Sequence, residues 1–353
     1  MISIPIPGIA SPIQSLISTI IYMDLLLTDK WLTSHLDESS ESNEDEPLNI
    51  FFESQGFQSK HLFINLGSTL VFMIMQICLL MFTGLMSLFS STSSRAEKLF
   101  EFLHKRLIWG RTIRFIIQQF QPLIFSSLIN IRSQSLLDLK PSTIATRFNF
   151  YLSALIFTGT LLSVVIFYGI ILRGKAGEQR FSTLIEGLKS NTSGFAAYWT
   201  VWTLLKWSLM CFILILLTDY PAQQLQTLTL LSAFSTILQI SVQPMDSRIE
   251  NMMCTFNELM ATIYLYTLIG LATAGDDIAL RENLGLALIS ILLLALSTNI
   301  LKVLIMIICE IVKKIRRKCT QNERVAILSQ HSRKYASTMP LTQEEAKSEG
   351  NVK

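Results

Sequence analysis

Residues 243–271 read QPMDSRIENMMCTFNELMATIYLYTLIGL, and this stretch decides the fold class. Pro244 ends one apolar segment, a polar turn runs from Asp246 to Asn251, and a second apolar segment follows. Asn257 and Glu258 lie inside the first turns of that second segment. An ionised carboxylate inside a bilayer is costly without a partner or water, so it marks a functional site. The simpler interpretation is a structural lock, in which both side chains hydrogen-bond a neighbouring helix.

The composition places the chain in a membrane. Hydrophobic residues make up 50% of it and charged residues only 16%, whereas a soluble domain carries about 25% charged residues. Runs of ~20 apolar residues are long enough to cross a bilayer as helices. The sequence therefore predicts an all-α, polytopic transmembrane helix bundle. The predicted spans are Ser68–Phe89, Asn149–Leu172, Phe195–Leu217, Leu225–Val242, Cys254–Ala274 and Leu284–Ile308.

Two further segments decide the number of spans. The charge pattern favours a spanning Arg114–Ile131, which gives seven spans, or eight if Ile13–Trp31 also crosses. Ile13–Trp31 contains Asp24, and Arg114–Ile131 is rich in glutamine, so each is a weaker candidate. We divide the chain into an N-terminal region with a marginal span and an acidic loop, a multi-span domain, and a disordered basic and polar tail. These regions comprise residues 1–50, 51–312 and 313–353.

The distribution of lysine and arginine predicts the orientation of the bundle. Basic residues concentrate in loops 90–113 and 173–194 and in the KKIRRK stretch after the last span. Lysine and arginine favour cytoplasmic loops, which puts these segments and the C-terminus in the cytoplasm, provided that Arg114–Ile131 spans. The short 243–253 turn then falls inside as well. Loop 132–147 is the exception, because it would lie outside although it is basic.

A basic amphipathic helix is predicted within the first of these loops. Between Arg95 and Trp109, apolar residues recur at helical spacing and lysines and arginines surround them. This pattern is typical of a helix that lies on an anionic leaflet. The apolar residues expected to face lipid or the bundle are Leu99, Phe102, Leu103 and Leu107.

No pattern of an enzyme, a cofactor site or a metal site is present. The sequence has no HExxH, no glycine-rich phosphate loop and no GxSxG, so catalysis and cofactor binding are not expected. The five cysteines have no close spacing, which argues against a disulfide framework and a zinc site. The acidic run Asp37–Pro47 lacks the spaced ligands of a calcium loop and is interpreted as a solvated linker. Clustered basic residues indicate membrane topology rather than nucleic-acid binding.

Charge and depth together predict an ion pair inside the bundle. Glu258 lies roughly 6 Å from the cytoplasmic end of its predicted helix, at ~1.5 Å per residue. Lys206 and Lys302 lie roughly 12–14 Å from the same face, and lysine stems reach several ångströms toward an interface. We expect Glu258 to pair with Lys206 or Lys302, and Asn257 to bond a neighbouring helix.

Four pieces of the sequence resemble a known family. They are FFESQGFQSKHLFINLGS (51–68), WTVWTLLKW (199–207), LLTDYPAQQLQ (216–226) and QPMDSRIENMMCTFNEL (243–259). They look like the transient-receptor-potential-like multi-span domain at the C-terminal end of large ciliate surface proteins, which is related to fungal flavin-carrier-type membrane proteins. The resemblance covers roughly residues 50 to 310. In that family a proline, two asparagines and a glutamate cross from a cytoplasmic turn into a helix, and here Pro244, Asn251, Asn257 and Glu258 take those places.

The resemblance implies a cation-channel-like membrane protein. A carrier or lipid-handling protein, as the fungal relatives suggest, and a structural anchor without transport are the alternatives. The expected partner is the lipid bilayer of the plasma membrane or an endomembrane, without nucleic acid. A homo-oligomer stays open as a further partner, and the ligand or ion is left open.

Overall fold

The computed structural model describes residues 62–89, 93–133, 144–189 and 194–337. Within these ranges the chain is helical, and its β-structure is a single isolated antiparallel bridge between Leu188 and Met245. The all-α architecture predicted from the apolar runs is thus present. The candidate span Ile13–Trp31 and the acidic run Asp37–Pro47 lie outside the described residues. So does the triplet Asn191-Thr192-Ser193, which has the pattern of a glycosylation acceptor.

Seven of the described α-helices are long. Their bounds agree with the predicted spans to within about five residues, with two exceptions. Helices α8 and α9 begin six residues earlier than predicted, and α9 continues to Ser337 although the predicted span ends at Ile308. The α-helices are α1 (Leu62–Leu66), α2 (Ser68–Phe89), α3 (Ser94–Leu103), α4 (Thr112–Ser133), α5 (Ile144–Leu172), α6 (Trp199–Leu216), α7 (Pro221–Val242), α8 (Arg248–Thr273) and α9 (Ile278–Ser337). A π-helix, His104–Arg111, joins α3 to α4.

Helix α7 shows most clearly that the polarity of the bundle is inverted. Its buried face carries polar side chains at helical spacing, including Ser235 and Gln239, which are 1% and 2% exposed. Between Leu230 and Ile240 its exposed face is apolar, with Leu230 65% and Ile237 61% exposed. In water this arrangement would leave apolar surface solvated and polar groups buried, whereas in a bilayer the apolar face meets lipid. The inversion supports an integral membrane protein.

Five of the described helices are long and apolar enough to cross a membrane: α2, α5, α6, α7 and the Ile278–Arg317 part of α9. Helices α4 and α8 are not among them. Helix α4 is buried along much of its length between Ile113 and Asn130. Its Gln119, Ser126 and Ser127 side chains contact protein, whereas Gln118 and Gln121 are exposed. Gln119, for example, accepts a 2.8 Å hydrogen bond from the Thr69 hydroxyl of α2. The predicted total of seven or eight spans stays a prediction.

Two sets of contacts define the ends of the bundle. At one end, which we call the connector end, residues 173–189 link α5 to α6, and Arg114 Nη2 at the start of α4 lies 2.5 Å from Glu186 Oε2. At the other, the Asp219 end, Arg132 Nη2 at the end of α4 lies 2.6 Å from Asp219 Oδ2. Helix α4 therefore extends over the same depth of the bundle as α6, which its composition alone did not predict.

The connector end gathers the loops that were predicted to share one side of the membrane. The backbone N–H of Lys189 donates to the carbonyl of Pro244 over 3.1 Å, and that of Asp246 donates to the carbonyl of Gly187 over 3.0 Å. Trp109 of the π-helix also packs edge-on against Phe181, with 5.1 Å between ring centroids. The π-helix, the 173–189 connector and the 243–247 turn hence lie at the same end.

The predicted amphipathic helix is present, but it is shorter than expected and continues into the bundle. It is α-helical from Ser94 to Leu103, packs against α2, and then passes through the π-helix into α4. Leu99 and Phe102 are exposed and Leu103 is half-buried. The π-helix contains Gly110, and a Cβ atom at this position would lie 3.8 Å from the hydroxyl of Thr183 in the connector. Contact of this helix with an anionic leaflet stays a prediction.

The main hydrophobic core lies where α4, α5, α6 and the connector meet. Phe120 and Ile124 of α4, Phe167 of α5 and Leu204 of α6 are all buried there. A smaller core holds the Asp219 end of α7 and α8 together with the start of α9, through Leu225, Leu268, Leu271 and Leu288. These cores fix the heights of α6, α7 and α8, on which the candidate site is built.

The end of the chain differs from the predicted tail. The chain divides into two compact units, residues 1–293 and 294–353, and the second is helical as far as Ser337. The prediction of disorder from residue 313 does not fit this helix. Its continuation has a local cause, because no glycine or proline occurs between Gly285 and Pro340 to end it. Residues 338–353 lie outside the described part.

Candidate functional site

An ion pair links α6 to α8 within the bundle. The ammonium of Lys206 donates a hydrogen bond to Glu258 Oε1, and it donates a second one, of 3.2 Å, to the hydroxyl of Ser235 on α7. The side chains of Lys206 and Glu258 are only 14% and 23% exposed. Three helices thus meet at one charged group, and each charge is compensated by its neighbour.

Glu258 lies deeper in its helix than the sequence suggested. Helix α8 begins at Arg248 rather than at Cys254, because the turn before it is fixed by Asn251. Glu258 is therefore ten residues into the helix, which is about 15 Å at ~1.5 Å per residue. This places the carboxylate level with Lys206, so the lysine does not need to reach toward the interface.

Hydroxyl groups continue the polar interface toward the Asp219 end. The Thr262 hydroxyl of α8 donates to the carbonyl of Glu258 over 2.8 Å. It also lies 2.9 Å from the Ser232 hydroxyl and 3.1 Å from the Thr236 hydroxyl of α7. Ser232, Ser235, Thr236 and Gln239 follow the i, i+3, i+4, i+7 spacing of one helix face. That face of α7 is polar where it meets α6 and α8.

Two buried donors lie on the connector side of the ion pair. Trp202 is four residues before Lys206 on α6, and Gln239 is four residues after Ser235 on α7, so both are about one turn, ~6 Å, away. Trp202 Nε1 and Gln239 Nε2 are buried, and neither has a hydrogen-bond partner in the described part of the chain. Trp202 is held in place by Phe234, with ring centroids 5.6 Å apart. Buried polar groups are normally hydrogen-bonded, so this pair of donors calls for an acceptor.

Asn251 fixes the polar turn that leads into α8. Its Oδ1 accepts from the backbone N–H of Met245 over 2.9 Å, and its Nδ2 donates to the carbonyl of Met245 over 2.8 Å. Gln243, which ends α7, has the left-handed φ of 44°. Pro244 follows it and is buried. The turn is thus held both by its own asparagine and by the connector.

The structure brings together most of the residues singled out in the sequence. Lys206 is the partner of Glu258, and the turn that precedes α8 contains Pro244 and is fixed by Asn251. Lys302 belongs to the second compact unit and is half-buried. Asn257 lies on an exposed part of α8, and its bond to a neighbouring helix stays a prediction. Sequence reasoning missed Ser235, Gln239 and Trp202, although the polar spacing along α7 could have revealed the first two.

The described residues do not suggest a metal centre. They contain no group of three or more histidine, cysteine, aspartate or glutamate side chains that could hold a metal ion. Cys78, Cys211, Cys254 and Cys309 are not in disulfides. Cys211 is buried in the core of α6, where it acts as a small packing residue.

Comparisons with known proteins give no match to build on: no family model, no curated protein and no solved structure matches this chain. What the protein does must therefore be inferred from its own residues.

Proposed function

We propose that this chain is a multi-pass membrane protein of the transient-receptor-potential-like type that allows cations to cross the membrane. The observation that carries the proposal is the Lys206–Glu258 pair at the junction of α6, α7 and α8. Ionisable residues inside membrane bundles mark ion and proton pathways. The hydroxyls beside the pair extend this polar surface through the interior, where an apolar core would otherwise be expected.

A structural anchor without transport is the second candidate, and one contact favours it. Lys206 already neutralises Glu258, so the pair is also suited to locking α6 against α8. Cation flux distinguishes the two functions, because a structural ion pair stabilises the bundle but transports no cation.

Flux in proteoliposomes tests the proposal. We expect liposomes that contain the purified protein to pass monovalent cations faster than empty liposomes. Glu258→Gln should slow this flux by about tenfold or more, because an intramembrane charge on the pathway is removed. Glu250→Gln, in the first turn of α8 near the membrane surface, is the matched control and should leave the flux unchanged. Folded protein with the flux of empty liposomes would favour the anchor.

We also propose that the connector end faces the cytoplasm. Exposed basic residues are concentrated at this end: Arg111, Arg173, Lys175, Arg180, Lys189 and Arg248. The Asp219 end carries Asp219, Asp276, Asp277 and Glu282. The basic loop that conflicted with this orientation is partly explained, since Arg132 is paired with Asp219. The basic KKIRRK stretch supports the further proposal that the C-terminus is cytoplasmic.

Glycosylation mapping tests this orientation. The Asn191 acceptor pattern, which follows the connector in the sequence, should carry no glycan, because a cytoplasmic site does not enter the lumen. An acceptor sequence inserted in the loop between Ala274 and Asp277 should be glycosylated. The readout is an endoglycosidase-sensitive shift in mass on a gel. A glycan at Asn191 would reverse the orientation.

A further inference from the structure

The two buried donors beside the ion pair suggest which cation reaches Glu258. Trp202 Nε1 and Gln239 Nε2 lie on the connector side of the pair, about one helical turn away. The indole N–H of Trp202 can only donate. Gln239 is only 2% exposed and lies on the same face of α7 as Ser235, which contacts Lys206. Each of these donors would be satisfied by a group that accepts hydrogen bonds.

We propose that Trp202 and Gln239 hold water next to the Lys206–Glu258 pair, and that the cation which reaches Glu258 along this route is a proton. The inference rests on the proposed function and names the cation that would be moved. A buried polar site with two to four partners is the kind of site that holds water.

The surroundings of Glu258 fit a proton better than a metal cation. Calcium takes six to eight oxygen ligands and magnesium about six. Here an ammonium already occupies one carboxylate oxygen, and the donors one turn away present N–H groups. The outward N–H dipoles would repel a cation that has lost its water. A proton requires only a water molecule in hydrogen-bond contact with the carboxylate.

The step balances without a further reactant. The water held by Trp202 and Gln239 gives one of its protons to the Glu258 carboxylate and takes a proton from a hydronium ion farther toward the connector, which becomes neutral water. Glu258 becomes a neutral carboxyl group and its ion pair with Lys206 is lost. Lys206 keeps all its protons and remains hydrogen-bonded to Ser235. Loss of the proton to the other side restores the pair.

Lys206 is the charged group that faces Glu258 from the neighbouring helices. Helix α7 contains no titratable residue between Pro221 and Val242, and α6 adds only Cys211. On α8 itself, Cys254 and Thr262 lie one turn to either side of Glu258. The described start of α9 carries Arg281 and Glu282, which lie at the Asp219 end. Within the described helices α6 and α7, and within one turn of Glu258 on α8, this pair thus carries the only charges, and protonation would change them.

Proton uptake into proteoliposomes tests the inference. An internal pH dye reports acidification while a potassium gradient with valinomycin sets an inside-negative potential. We expect acidification with the natural protein. Gln239→Leu and Trp202→Phe should each slow it by about tenfold, because they remove donors that hold water. Glu258→Gln should slow it by about a hundredfold, the scale on which a proton-transferring group acts. Gln226→Leu on the exposed face of α7 is the matched control and should change nothing.

The outcomes separate this inference from the proposed function. Sodium or potassium flux without acidification would overturn the inference that the transported cation is a proton, and it would leave the proposed function intact. Liposomes tight to protons and to metal cations alike would overturn both. If Glu258→Gln does not fold, Gln239→Leu and Trp202→Phe decide the matter, since neither carries a charge. Acidification at the natural rate in both folded variants would overturn the water site.

Discussion

Glutamine in place of Glu258 is expected to lower the free energy of unfolding by about 3–5 kcal/mol, the cost of leaving one charge of a buried pair alone. The side chain keeps its size and one acceptor oxygen, but the negative charge that compensates the Lys206 ammonium is lost. Unfolding by SDS, or thermal unfolding in detergent micelles, measures the change. Glu250→Gln, at the polar start of α8, should alter stability by only about 0.5 kcal/mol.

A double-mutant cycle shows whether the loss arises from the pair itself. Lys206→Met should cost about as much as Glu258→Gln, since it leaves the carboxylate without its ammonium. The protein with both substitutions should be more stable than either single variant, because no uncompensated charge remains. Losses that simply add in the double variant would show that the two charges do not stabilise each other.

The ion pair could be predicted from the sequence because a charge in an apolar run requires a partner. The sequence could not choose between Lys206 and Lys302, since the predicted depths of the two lysines were almost the same. The choice follows from packing, which places Ser235 of α7 between α6 and α8 and brings Lys206 to Glu258. The depth of a residue along its helix can be predicted from a sequence, whereas which sides of two neighbouring helices contact each other cannot.

Helix α4 and the connector show a second limit of the sequence. The glutamines of α4 made it a weak candidate for a span. One of them, Gln119, is hydrogen-bonded to Thr69 of α2 within the bundle, whereas Gln118 and Gln121 are exposed. Pairing between Leu188 and Met245 involves a single bridge and has no periodic pattern. The early start of α8 depends on the Asn251 side chain, whose effect on the preceding backbone becomes visible only with the turn in place.

Replacing Asn251 by alanine is expected to cost about 2–3 kcal/mol, because two hydrogen bonds to the backbone of Met245 are lost in a largely buried turn. Asn251 is 7% exposed, so water does not readily replace them. Ser247→Ala in the same turn is the matched control, since the Ser247 side chain makes no capping hydrogen bond at the start of α8. The control should cost no more than about 0.5 kcal/mol.

The two hydrogen bonds of Asn251 can be separated by a third variant. Asn251→Asp keeps an oxygen that accepts from the Met245 N–H and loses the donor to its carbonyl, so its cost should fall between those of alanine and the natural residue. Because the connector is hydrogen-bonded to this turn through Lys189 and Pro244, loosening the turn should also expose the connector to trypsin at Lys189. Faster cleavage there in Asn251→Ala, but not in Ser247→Ala, is the expected result. Equal stability and equal cleavage in these two variants would mean that the turn is held by the connector alone, and that the asparagine in the 243–271 stretch has a role other than fixing the start of α8.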